Sequence, residues 1–295
     1  MLSTDEIHQF ERDGFVGPFT IPPDVFAEFG EAFQSRVAHV LLGEQRRKMS
    51  TFIFRNQHVH SRSVYRLITM DPILSRVRSL LGPNVIAWTA HVIARMHGHS
   101  GQRWHSDSIN QFIRGIHVSI ALTDMNRKNG CLRLIPKSHL YRASLTRHPK
   151  IKGGADPTVY ADAVAPWNAP HGVIEMELEP GQFFLTWGGL WHSVGVNESG
   201  KVRMAAVARF ARTDFCVRDY GYDDSMIKHG KRLPCVVVSG TDTFHLNRTE
   251  QPPTGDIYVE PLDLPSRLRW LGKNVRDRAA DLATQLVGAR AKYNA

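Results

Sequence analysis

Along the first eighty residues, apolar side chains recur at helical spacing. Ser3-Thr4-Asp5-Glu6 reads as a capping box, and Ile7, Phe10 and Phe15 follow as the stripe of a short helix ending near Gly14. Val25, Phe26, Phe29, Phe33, Val37 and Val40 predict a second helix over 23–42. A third is expected over 64–81, closed by Gly82-Pro83. From Val85 the period changes to two. Strand-like runs at 85–96, 116–123, 131–135, 173–178, 182–187, 202–210 and 235–239 are separated by Gly, Pro, Asn and Asp, as in a barrel or sandwich. Segment 141–171 is polar and carries Pro and Gly, which reads as an insertion covering or shaping a pocket mouth. With no internal repeat, the pattern predicts one domain over 1–295, with N-terminal helices at 3–81, a β core at 84–240 and a basic C-terminal helix at 265–290.

Composition alters this picture little. With 295 residues, 42% hydrophobic and 22% charged, the chain can bury a sizeable core. No apolar run reaches the ~18 residues of a membrane span, and the N-terminal residues lack the basic flank and apolar stretch of a signal peptide. Three scattered cysteines, Cys131, Cys216 and Cys235, give neither a disulfide framework nor a Cys-x-x-Cys zinc pattern, so a reducing cytoplasm is expected. The net charge of +9 is partly C-terminal: residues 265–295 hold seven Lys and Arg against two Asp. A solvated helix face accounts for such a run; an anionic small substrate, an acidic carrier protein or a membrane surface would also suit it. Nucleic acid ranks below these, since no recognition motif accompanies the charge.

The candidate chemistry lies in Trp104-His105-Ser106-Asp107, Trp191-His192 and Arg203. Two imidazoles and one carboxylate can occupy one face of an octahedral ferrous ion, leaving three positions for a bidentate keto acid and dioxygen. In a strand, His105 and Asp107 would share a face while Ser106 points away. Arg203, at the start of the next apolar strand, would meet the far carboxylate of the keto acid through its planar fork. A lone His-x-Asp is common by chance in a chain with 15 histidines. Its conjunction with the distant His and Arg, each flanked by turn-bounded apolar runs, is what narrows the reading.

The motifs extend beyond the triad. Phe10-Glu11-Arg12-Asp13-Gly14-Phe15-Val16, Ala121-Leu122-Thr123-Asp124, Asn129 to His139 and Pro180-Gly181…Trp191 to Asn197, ending at Arg203, resemble the phytanoyl-CoA dioxygenase family, which includes ectoine hydroxylase-like members, over roughly residues 3–215. The resemblance implies a mainly β chain with flanking helices, folded as a double-stranded β-helix (a cupin-like jelly roll). It implies iron(II), 2-oxoglutarate and dioxygen, with His105, Asp107 and His192 as metal ligands and Arg203, Ser193 and Asn197 at the cosubstrate. Two positions depart from the family pattern: Lys137 stands where the Pro-x-Ser-His turn usually has glycine, and Ser119 where some members carry tryptophan. Related halogenases replace the ligating carboxylate with a small residue, so Asp107 points to hydroxylation, desaturation or ring closure.

For the substrate the expectations are Arg95, Asn110, Gln111, His117 and Arg209; Arg209 lies an even number of residues after Arg203 and so on the same strand face. The expected partner is a small molecule, anionic or tethered to coenzyme A or a carrier. Trp104, Trp187 and Trp191 are expected as walls of the barrel mouth, and His139 and Cys131 as structural. Competing readings are a non-catalytic ligand-binding β-helix, an oxygenase of nucleic acid or carrier-bound substrate, and a zinc or manganese cupin. The sequence does not speak to oligomeric state.

Overall fold

The computed structural model describes residues 1–27, 29–30, 51–98, 101–107, 115–141, 172–217 and 233–256. Contacts divide the chain into two compact units, Met1–Tyr258 and Val259–Ala295. The expected basic helix over 265–290, most of the 141–171 insertion and the latter half of the 23–42 helix lie outside the described residues. Among the described residues, no helix is long and apolar enough to cross a membrane.

Among the described residues twelve strands can be assigned: β1 (Phe15–Thr20), β2 (Thr51–Phe54), β3 (Val85–Arg95), β4 (Gln102–His105), β5 (Ile116–Ala121), β6 (Leu132–Leu134), β7 (Ile174–Met176), β8 (Gln182–Trp187), β9 (His192–Val194), β10 (Arg203–Arg212), β11 (Pro234–Ser239) and β12 (Arg248–Thr249). One sheet runs β1-β8-β5-β10-β3-β11-β12, with β2 also on β3; the other runs β4-β9-β6-β7. This is the double-stranded β-helix, mainly β with flanking helices. The strand runs at 85–96, 116–123, 131–135, 173–178, 182–187, 202–210 and 235–239 all appear, with ends shifted by a few residues.

The alternation that predicted strands also sorts their faces. On one side of the large sheet Ala87, Ala90, Val92, Ala94, Ala206, Ala208 and Phe210 join the main core with Val64, Leu67, Ile73 and Val77 of the helices. The other side faces inward, where Ala121, Ala205 and Phe184 meet Leu134 and Met176 of the small sheet. Register pairs Arg203 with Arg95, Val207 with His91 and Arg209 with both Thr89 and His117, so the inner face carries a polar layer.

The first helix, Thr4–Asp13, has the predicted capping box at Ser3 and Glu6 and ends at a left-handed Gly14. Phe15 starts β1 rather than continuing that helix. The helix expected over 64–81 is two, Arg62–Ile68 and Asp71–Leu81. Pro72 explains the break, because its ring cannot donate to residue 68 and clashes with that carbonyl. The short strands β2 and β4 escaped the pattern, being only four residues long. The tryptophans correct another expectation. Trp187 packs on Phe10 at 5.1 Å between ring centroids, Trp191 is fully buried, and Arg133 lies over Trp104; these are outer-face and core contacts rather than mouth walls.

Two buried features make stability testable. The His58 ring accepts from the Ala90 N–H through Nδ1 (3.2 Å), so Nε2 carries the proton and donates to the Pro234 carbonyl (2.7 Å). Burial lowers its pKa to about 4. The folded chain then resists a proton that the unfolded chain accepts near pH 6.5, so stability present above pH 6.5 is lost as pH falls toward 4. Urea unfolding between pH 7 and 4 should show a loss of about 3 kcal/mol from this group alone. Gly130 adopts φ 77°, and a Cβ there would collide with the backbone carbonyl of Gly195, just past β9. Gly130→Ala should therefore cost about 2 kcal/mol in the same assay, far more than a surface Gly→Ala change.

Candidate metal centre

His105 is the last residue of β4 and His192 the first of β9, and the two are paired directly across the strands. Their rings approach to 4.2 Å between centroids. Asp107 lies just past the end of β4, in a bend, so the simple alternation expected for His-x-Asp does not hold: the chain turns after Ser106 to bring the carboxylate in. One ligand atom from each of His105, Asp107 and His192 falls within 4.8 Å of the others, a set able to hold a metal ion.

Protonation suits ligation. His192 Nδ1 lies 2.9 Å from the Leu190 carbonyl, to which only an N–H can bond, leaving the Nε2 lone pair toward Asp107 Oδ1 at 4.0 Å. Burial lowers the His192 pKa, with Asp107 opposing, and this favours the neutral ring that a metal requires. Burial alone would raise the Asp107 carboxyl; the charge of Arg209 and then the hydrogen bond from His117 outweigh it and hold the carboxyl well below the usual range. The two oxygens are divided. Oδ1 faces the imidazoles, at 3.5 Å from His105 Nε2, while Oδ2 accepts from Arg209 Nη2 at 2.7 Å and approaches His117 Nδ1 at 3.3 Å. Two residues expected at the substrate thus hold the metal-site carboxylate.

Arg203 is buried, and among the described residues no carboxylate pairs with it. Its Nη2 meets only the Met125 thioether at 3.6 Å, and its Nε is buried without a hydrogen-bond partner. Burial, and then the neighbouring charge of Arg95, lower its pKa to about 9. A buried cation lacking an anion is costly, and an incoming carboxylate would offset that cost. Arg95, its cross-strand neighbour, is also buried, is lowered by burial to about 10, and donates to Gln102 Oε1 at 2.8 Å. Inward placement of Arg95 agrees with the sequence reading.

Two cosubstrate expectations need correcting. Ser193 lies on the face opposite His192, where its hydroxyl accepts from Arg133 Nε at 3.0 Å. Asn197 is completely engaged in the turn: Nδ2 donates to the Arg95 and Lys201 carbonyls, and Oδ1 accepts from Ser199 N and Oγ. It fixes the ends of β3 and β10 and has no group left for a ligand. Asn110 and Gln111 lie outside the described residues. His139 binds the Glu11 carbonyl, and Cys131 is a buried thiol pushed up to about 11, chiefly by burial, as a structural role requires.

Several neighbours were missed. His91 shares strand parity with Arg95 and could have been found; burial, then Arg209, push it down to about 3. Trp88 and Gln102 could not. The β3–β10 register slips between Arg209 and Phe210, leaving Trp88 as an extra residue beneath the Arg209 guanidinium, whose carbon is 5.5 Å from the ring. A second slip, between Gln102 and His105, puts both on the face that carries His192, with His105 buried and Gln102 exposed at its edge.

The sequence model for "Phytanoyl-CoA dioxygenase (PhyH)" matches residues 10–205, spanning the triad and Arg203. The chain belongs to this family. The phytanoyl-CoA dioxygenase family is one of iron- and 2-oxoglutarate-dependent oxygenases. Curated relatives include the ectoine dioxygenase of Bordetella parapertussis, 26% identical over 163 residues (47% of this chain, 50% of the relative). That of Streptomyces coelicolor is 29% identical over 157 residues (47% and 51%). The chain spans about half the length of the curated relatives it matches. Among solved structures, the non-heme monooxygenase ThoJ in its apo form superposes with TM-score 0.62 at 22% identity, covering 93% of this chain and 96% of that one. EctD from S. alaskensis, determined with 2-oxoglutarate and 5-hydroxyectoine, gives TM-score 0.61 at 18% identity, covering 85% and 88%. At these identities the likeness establishes the shared fold.

Within the phytanoyl-CoA dioxygenase pattern, Lys137 takes φ 67°, the left-handed conformation that explains why glycine is usual there. Its N–H bonds the Asp13 carbonyl at 2.9 Å, which ties the turn to the end of the first helix. Ser119 sits on the inner face beside Val207. The divided Asp107 carboxylate makes a prediction. Arg209→Leu removes the main force keeping it ionised, so the pH at which bound Mn(II) is released should rise; a pH titration followed by the EPR signal of free Mn(II) reads the shift.

Proposed function

We propose that this protein is an iron(II)- and 2-oxoglutarate-dependent dioxygenase that hydroxylates an unactivated C–H bond of a small molecule, releasing succinate and carbon dioxide. The observation that carries the reading is the pairing of a His-Asp-His cluster within 4.8 Å with a buried Arg203 that no described carboxylate meets. His105 Nε2, His192 Nε2 and Asp107 Oδ1 would hold the iron, which when bound supplies dioxygen activation coupled to oxidative decarboxylation of the keto acid.

The side chains supply orientation. Arg209 and His117 hold Asp107 Oδ2, which leaves Oδ1 as the single carboxylate donor to the metal and keeps the remaining face open. Arg203 pairs with the far carboxylate of 2-oxoglutarate, helped by the charge of Arg95. Around Arg209 two further donors, its own Nε and Trp88 Nε1, are buried without hydrogen-bond partners. Acceptor atoms on the primary substrate would satisfy them, which favours a small polar molecule bearing a carboxylate or similar anionic group. The ectoine dioxygenases among the relatives agree with a metabolite of modest size.

Anaerobic titration with Fe(II) and 2-oxoglutarate tests the assignment. A visible charge-transfer band should form only with both, vanish in His105→Ala, and in Arg203→Ala require roughly 10- to 100-fold more 2-oxoglutarate, as loss of a charged hydrogen-bonded pair implies. Iron binding without a band in the wild-type protein would remove the oxygenase reading and favour a ligand-binding β-helix.

A further inference from the structure

The side chain of Gln102 bridges the two halves of the centre. Its Oε1 accepts from Arg95 Nη2 at 2.8 Å, and its Nε2 lies 2.9 Å from His105 Nε2. Arginine can only donate, so the amide orientation is fixed: the carbonyl faces Arg95 and the NH2 faces the histidine. Only a lone pair on His105 Nε2 can receive that N–H. The same nitrogen is the His105 atom nearest Asp107 Oδ1, at 3.5 Å, which makes it the ligand nitrogen of the proposed metal centre. Strand parity would turn Gln102 and His105, three residues apart, to opposite faces; the register slip in β4 sets both on the His192 face, His105 buried and Gln102 solvent-exposed.

We infer that Gln102 is a positioning residue that latches His105 and competes with the metal for it, an inference that rests on the metal-site reading above. One lone pair cannot serve an N–H donor and a metal ion together. Metal binding therefore requires the amide to release His105, and the apparent affinity falls in proportion to the fraction of protein left unlatched. Arg95 anchors the latch from the other side, next to Arg203.

The direction of one affinity change separates a latch from a mere support. Removing a residue that props a ligand loosens metal binding, by about 10- to 100-fold in known metal sites. Removing a latch tightens it. Mn(II) binding to the metal-free full chain, measured by calorimetry, should be about three- to tenfold tighter in Gln102→Leu, the worth of one net hydrogen bond. Gln102→Met keeps the side-chain length and loses the donor to His105 without adding charge, so it should also tighten, which guards against a folding defect in the leucine variant. Weaker or unchanged binding in both variants, with melting temperatures like wild type, would overturn the latch. His105→Ala and Asp107→Ala serve as the control on the reading beneath it. If they bind Mn(II) as wild type does, the metal is not at this cluster; if they lose it and the Gln102 variants do not tighten, only the latch fails.

Discussion

The antiparallel pairing of β10 with β3 is the constraint on which the interior depends. Every residue of β10 from Arg203 to Arg212 has a partner on β3, so one register decides which side chains can meet between the sheets. It sets two buried guanidinium groups side by side at one end and sets Arg209 against His117 and Asp107 further along. A slip by one residue would send all of them to the helix-covered face and bring alanines inward. The alanines of the outer face hold the alternative shut, because that face is packed against helices that leave no room for arginine.

Electrostatics completes what register begins. The inner layer concentrates arginines and histidines around one carboxylate, and burial pushes the histidines toward the neutral form while the arginines remain charged. Asp107 is thereby the local charge balance of the layer as well as a ligand candidate. A cation placed on Oδ1 and an anion placed on Arg203 would each reduce an imbalance already present, which is a physical reason for a metal and an acidic cosubstrate to bind as a pair.

Much of this was legible in the sequence because period-two alternation and the turn residues of the β core are strong local signals. Arg203 and Arg209 could be assigned to one face from parity alone, and the structure agrees; it is the β3–β10 register that sets Arg95 beside Arg203. Parity failed where the chain breaks its own rhythm. Asp107 comes inward by a bend after β4, and register slips bring Gln102 and Trp88 to the site, events that depend on the partner strand and leave no mark in a single sequence. Ser193 misled because a motif residue next to a ligand must face away from it in a strand. Asn197 misled differently: the turn before β10 consumes the groups that the family resemblance offered to a ligand.

The extra residue at Trp88 divides β3 into two lengths with separate loyalties. Beyond it, Thr89, His91 and Arg95 face the polar interior; before it, Ile86 joins a small satellite core with Ala211, Val217 and Cys235. The slip absorbs the mismatch between the two, so side-chain volume can be traded within the satellite core without rotating a single interior residue. A lineage could remodel that end of the barrel, and the loops hung from it, while the centre stayed as it was.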